Sequence, residues 1–117
     1  LFQQKNKNKQ EEDMKVKNLT LSTCISAKDF NISKDDANYY MAKCEKDEVV
    51  ATFDAISDEG TIRHYRVIVD GEVDNAWLEL EVLDTEEGKY VTLYTLGYDI
   101  AFGSIQEAIH YVKSIVG

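Results

Sequence analysis

The sequence predicts an α+β fold: a two-layer domain in which an antiparallel β-meander of four to five strands carries two amphipathic helices packed on one face. Three observations carry this expectation. Four strand-like runs follow one another with short connectors, "SDEG", "DGEVDN" and "DTEEG", rich in the turn residues of hairpins. Two stretches place apolar residues at helical spacing behind a capping serine. Proline, which interrupts regular elements, is absent from all 117 residues.

The opening "LFQQKNKNKQEED" is polar and low in complexity, so residues 1–14 read as a flexible arm or linker and 15–117 as a single α+β domain. Leu1-Phe2 fits the end of a removed membrane anchor, and Met14 fits a native start. "VKNLTLSTCI" (16–25) is rich in β-branched residues and forms the first strand, with Leu19, Leu21, Thr23 and Ile25 on one side.

"NISKDDANYYMAKCEKD" (31–47) starts a helix over 33–45. Ser33 is placed as its N-cap, Asp36 completes a capping-box pair, and Ile32 and Ala37 sit at hydrophobic-staple positions. Ala37, Tyr40, Met41 and Cys44 then make one apolar stripe. The four strand runs are 48–56, 61–69, 76–83 and 89–96. The glycines of "YTLGYDIAFG" take turn and close-approach roles. The last helix covers 104–116, with Ser104 and Glu107 as a capping box and Ile105, Ala108, Ile109, Val112 and Val116 as its apolar face.

Charge is unevenly spread. Residues 1–28 hold six lysines and three acids, whereas 29–117 hold seven Lys/Arg and nineteen Asp/Glu, a net −12. Such a body repels phosphate backbones, so direct nucleic-acid binding by the folded domain is not expected. A basic protein partner suits it, and solubility alone is the plainer account. No apolar run is long enough to span a membrane. A cytoplasmic setting is expected unless an anchor precedes Leu1, which would place the domain outside the cytosol.

Cys24 and Cys44 do not match a zinc pattern, and two small buried thiols are the expectation; a disulfide would require a non-cytosolic setting. In "RVIVDGEVDNAWLELEV" (66–82), Asp70, Glu72, Asp74 and Glu81 approach calcium-loop spacing. The sixth position is Asn75 rather than Gly, and Glu81 lies deep in a strand run, so an acidic hairpin connector is expected and no metal site. No nucleophile, P-loop or dinucleotide motif occurs, so neither an enzyme nor a cofactor is expected.

Strand alternation separates two faces. Ala51, Phe53, Ala55, Tyr65, Val67, Val69, Leu78, Leu80, Val82, Val91 and Leu93 form the seat for the helices. Thr52, Asp54, His64, Arg66, Ile68, Trp77, Glu79, Glu81, Tyr90, Thr92 and Tyr94 fall opposite, on a face two short helices leave open. Aromatics and Arg anchor protein interfaces. Trp77, Tyr90, Tyr94, His64, Arg66, Glu79 and Glu81 are therefore the candidate partner-binding residues. The competing account is a solvated face whose cross-strand pairs stabilise the sheet itself.

Two functions are expected in competition. One is a small acidic non-enzymatic protein of inhibitor, immunity or adaptor type, such as bacteria, phage or mobile elements encode, binding a basic macromolecule. The other is an extracytoplasmic ligand-binding or assembly domain of a membrane-anchored or lipoprotein precursor.

Overall fold

The computed structural model describes residues 14–21, 36–95 and 98–115; of these, the side chains of Met14, Tyr94, Thr95, Tyr98 and Asp99 lie outside the description. The main sheet is six-stranded and antiparallel, in the order β1 (Met14–Leu21), β2 (Val49–Ser57), β3 (Ile62–Glu72), β4 (Asn75–Asp84), β5 (Lys89–Thr92), with β8 (Ala101–Phe102) also paired to β4. Among the described residues it is accompanied by helices α1 (Ala37–Lys43) and α2 (Ile105–Ser114). The strand runs from 48 to 92 thus form the expected meander.

One face of the sheet is apolar because the register aligns alternate residues: Ala51 with Val67, Phe53 with Tyr65, Val67 with Leu80, and Val69 with Leu78. These side chains join Ala37, Tyr40 and Cys44 of the α1 region and Ile105, Ala108, Ile109 and Val112 of α2 in one buried cluster. Both helices therefore lie on the same face. Val50 is also fully buried, because the register slips between Val49 and Ala51 and turns an extra residue inward. Val91 sits at the sheet margin beside Val82 and is exposed, so it is not part of the helix seat.

The caps are built as side-chain chemistry requires, with one change. Ser104 Oγ accepts from Glu107 N at 3.1 Å, and Glu107 Oε2 accepts from Gly103 N at 3.1 Å. The pair brackets the start of α2 as expected, with Glu107 reaching back to Gly103 N, one residue before the Ser104 cap. At α1 the N-cap is Asp36, not Ser33: its carboxylate accepts from Tyr39 N at 3.0 Å and the helix begins at Ala37. Ser33 and Ile32 lie outside the described residues.

Three expectations are corrected. The register of β1 shifts between Lys17 and Thr20, with Asn18 in a left-handed conformation at φ 59. The bulge turns Leu19 outward to 38% exposure, while Val16 and Leu21 pack on the core. Thr23 and Ile25 lie outside the described residues. The run 89–96 is not one strand. β5 ends at Thr92, β6 (Tyr94–Thr95) and β7 (Tyr98–Asp99) pair as a small hairpin, and β8 resumes the edge. Leu93 N donates to Leu80 O and Ile100 N donates to Leu93 O, which closes the base of this insertion. β5 and β8 are thus one edge strand interrupted by a hairpin. Finally, Cys44 is disulfide-bonded rather than a free thiol. It faces the core as the stripe predicts, at 9% exposure. The chain's one other cysteine, Cys24, lies outside the described residues.

Candidate functional site

The face opposite the helices is where the candidate residues were expected. The structure sorts them into three groups along the strands. At the far end, Asp54 of β2 accepts from Asn18 Nδ2 at 2.9 Å through Oδ2, while its Oδ1 lies 2.6 Å from His64 Nδ1. The side chain of Asp54 therefore ties the bulge of β1 to β3. These contacts hold its carboxyl below the ordinary value of 3.8, the Asn18 hydrogen bond contributing most and that of His64 next.

In the middle, Arg66 and Glu81 are directly opposite in the β3–β4 register. Arg66 Nε donates to Glu81 Oε1 at 2.5 Å, and the guanidinium carbon stands 4.2 Å from the Tyr90 ring centroid. Arg66, Glu81 and Tyr90 are thus brought together, and each already has a partner within the sheet. Beside them Ile68 and Glu79, cross-strand neighbours, are buried at 9% and 7% exposure. The expected open position of Glu79 is corrected accordingly. It lies on β4 between Ile68 of β3 and Ala101 of β8.

At the near end lies Trp77, half-buried and paired with Asp70. Its Nε1 donates to Glu79 Oε2 at 2.9 Å. The indole lies on the backbone of Gly71, where φ is +95°. A Cβ there would come within 2.8 Å of Trp77 Cζ3 and 2.5 Å of Asn75 O, so only glycine lets the ring settle. Lys46, Asp70, Gly71, Glu72, Asn75 and Trp77 line a shallow open depression of about 390 Å³.

Within it, Asp70 Oδ1 accepts from Gly71 N at 2.7 Å and lies 3.7 Å from Lys46 Nζ. Glu72 makes no hydrogen bond or ion pair among the described residues. Tyr94 belongs by backbone to β6, and its side chain lies outside the described residues.

The site as expected is therefore split. His64 belongs to the Asp54 group, Arg66, Glu81 and Tyr90 to the middle group, and Trp77 to the hairpin end. Sequence reasoning missed Asp70, Glu72 and Lys46 as companions of Trp77. The signal was the two-residue turn at Val73-Asp74, which sets Asp70 opposite Trp77 and Glu72 opposite Asn75.

The acidic stretch 70–81 is the β3–β4 hairpin, and Glu81 is held by Arg66 well along β4. Among the described residues no three His, Cys, Asp or Glu side chains converge as metal ligands, and no helix is long and apolar enough to cross a membrane. No known protein family, curated protein or solved structure matches this chain.

Proposed function

We propose that this chain is a small non-enzymatic binding domain that holds a basic macromolecular partner, a protein, on its acidic surface with Trp77 as the anchor. The supporting observation is the imbalance at the hairpin end. There an indole stands beside carboxylates with a single lysine for countercharge among the described residues. Charge steers the encounter, and the aromatic side chain holds the complex. A partner obtained by affinity capture with the full chain tests it by kinetics. Glu86→Gln with Glu87→Gln, remote acids at the β4–β5 turn, should slow association and flatten its salt dependence. Trp77→Ala should speed dissociation, costing about 2 kcal/mol. Binding insensitive both to salt and to Trp77 would remove the proposal.

The disulfide at Cys44 favours a second reading, in which the same domain works outside the cytosol on an anchored precursor, since disulfides persist in oxidising compartments. Mass measurement with and without reductant, on protein taken from its native host, decides this point. A fully reduced pair there would return the domain to the cytosol.

A further inference from the structure

We infer that the Trp77 depression takes an arginine side chain of the basic partner, its guanidinium lying on the indole and bridged by the carboxylates of Asp70 and Glu72. The inference rests on the proposed acidic-surface binding and assigns the contact within it.

Four features of the site select this ligand. The indole offers a π-face that attracts cations, and its position is fixed from below by the Gly71 backbone and at its edge by the Trp77 Nε1–Glu79 bond. Among the described residues the charges are not balanced internally. Asp70 spends Oδ1 on Gly71 N and Lys46, whereas no such contact engages Oδ2, and Glu72 has no partner among the described residues. Asp74, in the two-residue turn itself, adds a further exposed negative charge to this end of the hairpin. The planar guanidinium both stacks on an aromatic ring and forms paired hydrogen bonds to carboxylates, which an ammonium cannot do together. The same sheet already contains that arrangement: Arg66 lies over the Tyr90 ring while bonding Glu81. In the middle of the face the aromatic ring, the carboxylate and the guanidinium all come from this chain. At the hairpin end the ring and the carboxylates are present, and the guanidinium is the component the partner supplies.

The test uses the full chain and a defined probe. Trp77 is the chain's one tryptophan, so its emission reports the site without labelling. Titration with an unstructured arginine-rich peptide should give a saturable change in Trp77 emission, and the same peptide with citrulline in place of arginine should give none. Calorimetry should then find the arginine peptide weakened roughly fivefold or more by Glu72→Gln and roughly tenfold by Trp77→Leu. Circular dichroism checks that each variant is folded, and Glu72→Gln, at an exposed position, keeps the test decisive if Trp77→Leu is not. A saturable change with the citrulline peptide, or with a neutral oligosaccharide in place of the arginine peptide, overturns the inference. Salt-dependent peptide binding that ignores both variants also overturns it and leaves the broader acidic-surface reading standing. No peptide binding at low salt overturns both.

Discussion

The two halves of the open sheet face use the same residue types to opposite ends. In the half that runs from Asp54 to Tyr90, carboxylates meet His64, Asn18 and Arg66 across the strands, and each charge finds its complement inside the chain. In the half at the β3–β4 turn, Asp70 and Glu72 line the depression with Trp77, and Lys46 is the only base lining it among the described residues. An aromatic and charged sheet face is thus two surfaces, one that stabilises the sheet and one with charge to spare. Composition alone would rank the halves equally. The difference lies in register, which decides which side chains stand opposite one another.

The largest expected effect sharpens the comparison from beneath. α1 packs under the hairpin end, where Asn38 Oδ1 accepts from Ala76 N at 3.0 Å, and Cys44 follows the helix. Reducing the Cys44 disulfide should cost about 2–4 kcal/mol of global stability. Hydrogen exchange should show protection falling first around Ala76 and Trp77, and later around Arg66. Equal loss in both halves would mean that α1 does not support one of them preferentially.

Gly71→Ala comes next. The added methyl meets Asn75 O at 2.5 Å in a backbone conformation that side chains rarely adopt. The expected cost is about 2–3 kcal/mol in chemical denaturation. Gly60→Ala and Gly88→Ala, where nothing lies within 4 Å, carry only the backbone penalty, about 1 kcal/mol. If all three substitutions cost the same, Trp77 is not seated on Gly71 as described.

Arg66→Ala breaks the internally paired half. Glu81 has only 13% of its side chain exposed and would be left without its partner. A loss of about 1–2 kcal/mol is expected, and a double-mutant cycle with Glu81→Gln should recover part of it. The matching change at the other half, Glu72→Gln, should leave stability within about 0.5 kcal/mol.

The smallest effect concerns acid. Folding lowers the Asp54 carboxyl, so the unfolded chain takes up that proton before the native one does. Its contribution is complete above the ordinary value of 3.8 and is lost as pH falls through the lower native value. Asp54→Asn should flatten the dependence of melting temperature on pH in that range and leave it unchanged near neutrality. A shift of equal size at pH 7 and pH 3 would show that Asp54 acts through packing and not through its charge.

The sequence by itself determined the meander, the single helix-bearing face and the capping box of Ser104 and Glu107. Each depends on spacing within a short stretch: period two in strands, near four in helices, and a hydroxyl three residues before a glutamate. It also placed Cys44 on the buried stripe. Tertiary structure decided what depends on which residues become neighbours from distant stretches. Leu19 turned outward because a bulge at Asn18 slipped the pairing with β2. The edge strand broke at Leu93 to admit a hairpin, since pairing with β4 could resume at Ala101. Arg66 found Glu81 and Tyr90, whereas Glu72 found no charge to meet among the described residues. The alternation of a strand tells which face a side chain joins, but whether its charge is satisfied there depends on the strand opposite, and register is a property of the folded sheet.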